Sequence, residues 1–234
     1  MIWFLLACQP VADTVTGKPD STEQPADTDT TADTSDGEDT AAALVWSVEI
    51  GPLPNSLKAQ MEGTTMHAGC PVGFGGLVLL QPAHWDMDGG VQIGQLVVAT
   101  EAAEPLAQVF EAMFEAGFAI RSMQPASAFG GSDDKSMAAD NTSAFNCRAV
   151  TGGSGWSQHS YGDALDINPI ENPYVSGSLV LPPEGTAYTD RGDVRPGMVV
   201  EGDATTAAFD AIGWGWGGRW SSLKDYQHFS ENGQ

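Results

Sequence analysis

Ser157-Gln158-His159-Ser160-Tyr161-Gly162-Asp163-Ala164-Leu165-Asp166-Ile167-Asn168-Pro169 reads as a turn that feeds a short strand. Gly162 supplies the turn, Ala164–Ile167 has the length and apolar character of a buried strand, and Pro169 ends it. His159 stands before the turn and Asp166 on the strand after it, so the two side chains can converge across the bend. Further along, Asp225-Tyr226-Gln227-His228-Phe229 places another carboxylate three residues before another imidazole. In a fully extended segment those two would face opposite ways, and a bulge or turn is needed to bring them together. Two histidines and an aspartate can supply the nitrogen and oxygen ligands of a catalytic zinc centre, which keeps one position open for water. A surface histidine and a turn-forming or helix-capping aspartate would use the same residues, and spacing alone leaves both readings open.

Working outward, Leu77–Leu80 and Leu96–Val98 are apolar runs of strand length bounded by glycine. Residues 103–116 place Leu106, Val109, Phe110, Met113 and Phe114 on one helical face, with Gly117 as the stop. Phe118–Ile120 reads as a strand, and residues 204–212 as a helix capped by Asp203 and closed by Gly213. Helices and strands interleave without a repeat, which predicts an α+β fold with an antiparallel sheet flanked by helices.

The 234 residues suffice for one domain with a real core plus added segments. Thirty-one acidic residues against 9 basic ones give a net charge of −22. The basic residues are scattered, and without a positive patch a nucleic-acid partner is excluded. Residues 9–43 carry 9 acidic residues against Lys18 alone and are rich in Asp, Thr, Ala, Pro and Ser, the composition of a disordered acidic linker. Before it, Ile2–Ala7 is apolar, and Leu5-Leu6-Ala7-Cys8 resembles a bacterial lipobox, which would make Cys8 a lipidation site. That run is far shorter than the roughly 20 residues a membrane span needs. The expectation is an exported, lipid-anchored protein of the bacterial cell envelope, in the periplasm or on the outer surface, with residues 1–8 as signal and lipobox and 44–234 as the folded domain. In that compartment the remaining cysteines, Cys70 and Cys147, are expected to pair as a disulfide.

The motif Ser-x-His-x-x-Gly-x-Ala-x-Asp at 157–166, followed by Asp-x-x-His at 225–228, resembles the zinc D-Ala-D-Ala carboxypeptidases of the VanY type. These are related to L-alanyl-D-glutamate endopeptidases and to the hedgehog domain. Asn141–Arg148, Asp166–Pro169, Asn172–Tyr174 and Gly213–Gly218 are similar to the same family, and the likeness extends over roughly residues 65–230. The resemblance implies a zinc peptidase with a hedgehog-like α+β fold acting on peptidoglycan stem peptides. His159, Asp166 and His228 would be the metal ligands and Asp225 the catalytic base. Arg148 would be a catalytic and substrate-binding cation, on the oxyanion or on a terminal carboxylate, with Ser157 and Trp216 as further substrate contacts. Family members often carry glutamate where Asp225 stands, so the shorter side chain requires a closer backbone. A monomer is expected. The alternatives weighed are an endopeptidase cutting inside the stem and a zinc-containing cell-wall binding module without turnover. Asp225 argues against the latter, because a purely structural site needs no base beside its metal.

Other signals carry less. The glycines of Gly213–Gly218 are interleaved with tryptophan and open no helix after a strand, so they do not form a dinucleotide loop. Arg191-Gly192-Asp193 is a chance tripeptide, the sequon Asn141-Thr142-Ser143 reads as structural, and His67 and His84 read as ordinary turn or core histidines.

Overall fold

A computed structural model describes residues 45–150 and 153–234. The expected signal at 1–8 with Cys8, and the linker at 9–43, lie outside the described residues. The strands are β1 (Val48–Pro52), β2 (Leu77–Trp85), β3 (Val91–Ile93), β4 (Leu96–Ala99), β5 (Ser122–Met123), β6 (Asn141–Thr142), β7 (Ala164–Asp166), β8 (Tyr174–Ser176), β9 (Leu179–Leu181), β10 (Gly215–Trp216), β11 (Lys224–Asp225) and β12 (His228–Ser230). The helices are α1 (Asn55–Met61), α2 (Thr100–Glu115), α3 (Asp133–Ala138) and α4 (Ala204–Ala211).

β2 anchors the largest sheet and pairs antiparallel with β1, β3 and β4. Successive side chains of a strand point to opposite faces, and here they divide two cores. Leu80 of β2, with Leu96 and Val98 of β4, joins the core built on Leu106, Phe110 and Met113 of α2 and on Phe209, Trp216 and Phe229. Leu77 and Leu79, with Val97, turn the other way onto Leu53, Met61, Phe145 and Cys147. Three smaller groups complete the fold: β10-β12-β7, β11-β8-β9 and the pair β5-β6. The architecture is therefore mixed α and β with antiparallel sheets and a few helices, compatible with α+β, although β5 and β6 run parallel.

The main helix buries the five side chains expected of it and ends at Gly117 with φ +70°. It starts earlier than apolar spacing suggests because Thr100 and Glu101 form an exposed first turn. α4 is capped as expected, Asp203 Oδ1 accepting from Thr206 N–H at 2.7 Å. Phe118–Ile120 departs from expectation. It makes only an isolated bridge from Ala119 to Trp85, and not a strand. The reason lies in buried Asn168: its Nδ2 donates to Ala119 O (2.8 Å) and Gly197 O (3.0 Å), and its Oδ1 accepts from Arg121 N–H (3.0 Å). A side chain thus takes the place of a neighbouring strand. Asn172 acts similarly, donating to Ile167 O (3.0 Å) and Gly197 O (2.9 Å) while accepting from Val199 N–H (2.7 Å) and Arg191 (2.8 Å). The two amides hold the segment just beyond Asp166.

Candidate metal centre

Pairing of β7 with β12 sets His228 directly opposite Asp166, with Phe229 opposite Leu165. Alternation sends Leu165 and Phe229 into the core, Phe229 stacking on Phe209 with centroids 3.8 Å apart, while His228 and Asp166 share the other face. His159 arrives from the 3₁₀ turn Gln158–Ser160. The chain then reverses at Gly162, where φ is +78° and an added Cβ would lie 2.6 Å from Ala99 N. No other residue type fits that close approach without displacement.

The three tips meet. His159 Nε2 lies 3.3 Å from His228 Nδ1 and 3.2 Å from Asp166 Oδ2, and His228 Nδ1 lies 3.0 Å from Asp166 Oδ1. Tetrahedral zinc with nitrogen and oxygen ligands at about 2.0–2.1 Å spaces its ligand atoms about 3.3–3.4 Å apart, so the donor set fits zinc in both spacing and chemistry. The far nitrogen of each ring is fixed by a main-chain oxygen. His159 Nδ1 donates to Ala144 O (2.7 Å) and His228 Nε2 to the main-chain oxygen of Gln234 (3.0 Å), the pattern that orients ligand histidines. Burial alone would raise the Asp166 carboxyl, but the charges and hydrogen bonds of His159 and His228 hold it well below the usual carboxylate range. Burial would lower His228, but the hydrogen bond and charge of Asp166, with the charge of Asp225, push it up to about 9. Both effects follow from the contact of Asp166 with the imidazoles.

Asp225 reaches the site because β11 and β12 are separate strands, broken at Tyr226 and Gln227 and paired into different sheets. This is the turn that the three-residue spacing demanded. A Cβ on Gly217 would lie 2.5 Å from Asp225 O, so the bare glycine admits the strand that carries the shorter acid. Asp225 Oδ1 is buried and has no hydrogen-bond partner among the described residues. Burial and the Asp166 charge push its carboxyl up to about 6, against the opposing pull of His228 and His159.

The remaining expected residues behave differently. Arg148 is ion-paired through Nε with Asp133, whose other oxygen accepts from Asn146 Nδ2 at 2.7 Å. Its backbone braces the His159 turn: Arg148 N–H donates to Ser160 Oγ (2.9 Å), and Arg148 O accepts from Ser157 N–H (3.0 Å) and Ser160 Oγ (2.8 Å). Ser157 is buried and begins the turn that carries His159. Trp216, expected at the substrate, is instead a core residue. It is 5% exposed, its Nε1 donates to Tyr226 O at 2.8 Å, and its ring stacks along Phe229 on the face away from His228. The tryptophan beside the cluster is Trp220, 5.6 Å from the His228 ring. Asp133, Ala144, Gln234 and Trp220 were missed by sequence reasoning. Ser132 ahead of an acidic helical turn was the available signal for Asp133; the others act through fold-dependent contacts. Asp163, also missed, has its carboxyl raised by burial and by Glu231.

Cys70 and Cys147 form a disulfide. His67 Nε2 bonds to Cys147 O at 3.0 Å, which gives that turn histidine a structural partner. His84 is buried, and burial lowers its pKa.

Residues 151–231, which include His159, Asp166, Asp225 and His228, match the family model described as D-alanyl-D-alanine carboxypeptidase. The part of the expected likeness between 65 and 150 lies outside that match. No curated protein and no solved structure matches the chain.

Proposed function

From that match and the four convergent side chains we propose a zinc peptidase that hydrolyses peptide bonds in peptidoglycan stems, with release of a terminal D-alanine as the leading reaction. The observation that carries this reading is the meeting of His159, Asp166 and His228 within 4.8 Å, inside the matched segment and beside the unpartnered Asp225 oxygen. His159 Nε2, His228 Nδ1 and Asp166 would hold the ion. Bound zinc supplies Lewis acidity, which polarises a peptide carbonyl and makes water nucleophilic near neutral pH.

The chain's own residues do the rest. Asp225 Oδ1 is free to accept a proton from the attacking water, and its raised pKa suits it to hand that proton to the departing amine. Arg148 is the nearest expected cation along the chain. It would meet substrate only by sharing its guanidinium between Asp133 and a carbonyl oxygen or a terminal carboxylate. Asp133 then sets where that cation stands. Trp220 would form one wall beside the ligands in place of Trp216.

The envelope location and a lipid tether at Cys8 belong to the same reading, supported by Leu5–Cys8 and by the paired cysteines. Digestion of defined muropeptides with the zinc-replete protein, followed by mass spectrometry, tests the reaction. Free D-alanine supports the carboxypeptidase, split stems without it support an endopeptidase, and unchanged stems would refute both.

A further inference from the structure

After β12 the chain doubles back over its own ligand. Gly233 has φ +76°, and Asn232 Oδ1 accepts from Gln234 N–H at 2.9 Å, closing a tight turn. That turn delivers the Gln234 main-chain oxygen to His228 Nε2 at 3.0 Å and to Ser230 Oγ at 2.9 Å. Two further contacts hold it down. Trp220 Nε1 donates to Gly233 O at 2.8 Å while its ring packs on His228. Opposite, a Cβ on Gly215 would fall 2.5 Å from Gly233 Cα, so β10 is bare where the turn crosses it.

The consequence concerns which nitrogen of His228 carries its proton. The nitrogen that faces Asp166 and His159 is Nδ1. A neutral imidazole has one N–H, and only the other nitrogen can give its lone pair to a metal. A main-chain oxygen at Nε2 keeps the hydrogen there and leaves Nδ1 ready to ligate.

We propose that residues 232–234 are a positioning element of the metal centre, holding His228 in its Nε2–H form with Nδ1 turned to the ion. The matched family segment ends at residue 231, so this turn is a feature of the chain beyond it. The inference rests on the reading of His228 as a ligand.

The test compares the full chain with a deletion of 232–234, with Asn232→Ala, with Asn232→Asp (which keeps the accepting oxygen) and with Gly215→Ala, which crowds the turn. Zinc affinity is measured by competition with a chromophoric chelator, the His228 tautomer by long-range proton–nitrogen NMR of the metal-free protein at a pH high enough for the ring to be neutral, and folding by thermal unfolding without metal. The deletion is expected to weaken zinc binding about 10- to 100-fold and to mix the His228 tautomers. Asn232→Ala and Gly215→Ala should move both readouts the same way, and Asn232→Asp should restore them. If the deletion does not fold, the two substitutions decide. Unchanged affinity and an unchanged Nε2–H signature in the folded variants would overturn the role of the turn alone. Failure of the unaltered chain to take up zinc would instead overturn the metal centre, and this inference with it.

Discussion

His67, Cys70 and Cys147 cluster as His159, Asp166 and His228 do, each set having ligand-type atoms within 4.8 Å. Their chemistry differs. In the first set the sulfurs are bonded to each other, so neither is the thiolate a metal needs, and His67 is exposed and tied to Cys147 O. In the second, the histidines are buried, each far nitrogen is held by a main-chain oxygen, and an unpaired carboxylate oxygen waits beside them. Proximity of ligand types is thus a weak criterion for a metal site; the state of the donors and what fixes them decide. The two sets are also joined. Cys147 sits between Asn146, whose N–H donates to His159 O at 3.0 Å, and Arg148, whose N–H donates to Ser160 Oγ at 2.9 Å. The disulfide braces the segment that presents His159.

The largest contrast to be measured is metal content. His159→Ala or His228→Ala should lower zinc from about one ion per chain to near none, while His67→Ala should leave it unchanged. Elemental analysis of dialysed protein checks this, and equal loss in all three variants would erase the distinction. Next in size, Asp225→Ala should keep its zinc yet lose about 10²- to 10⁴-fold in turnover, read from D-alanine release at saturating substrate. Replacing both cysteines by alanine opens a bridge between positions 77 residues apart. Chain entropy assigns it about 4 kcal/mol of stability. Denaturant unfolding should show that loss, with zinc retained but held more weakly because the His159 turn has lost its brace.

The smallest effect is a pH dependence remote from both sets. Burial, together with the hydrogen bond and charge of Asp140, pushes the Glu171 carboxyl up from 4.5 to about 7. Between those values the folded chain keeps a proton that the unfolded chain releases. The contribution is therefore complete below pH 4.5 and is lost as pH rises through about 7. Glu171→Gln should make the fall in stability across that window shallower, measured by unfolding at a series of pH values. An unchanged slope would contradict the assignment.

Much of this was legible in the sequence because it rests on local rules. The buried face of α2, the Asp203 cap, the Gly162 turn and the strand Ala164–Asp166 each follow from spacing or from a single residue's backbone preference. The motif pair named the residues that meet but not which ring nitrogens do, and its three-residue spacing already required the break found at Tyr226 and Gln227. What could not be read depends on side chains replacing backbone partners or on contacts across the fold. Phe118–Ile120 has strand composition, yet Asn168 occupies the place of its neighbour. Trp216 and Trp220 are indistinguishable by type, and only the alternation of β12 shows which of them faces His228. The short helices α1 and α3 carry too little apolar periodicity to announce themselves.

Asn168 and Asn172, the two amides that lock the chain beyond Asp166, are followed by Pro169 and Pro173. Spontaneous deamidation proceeds when the backbone nitrogen of the next residue, after giving up its hydrogen, attacks the side-chain carbonyl and closes a five-membered ring. Proline has no such hydrogen. Conversion of either amide to a carboxylate would set negative charge against Gly197 O and its companion carbonyls. Both positions are therefore closed to that route of chemical ageing, and the two locks beyond Asp166 keep their donors and acceptors for the life of the chain.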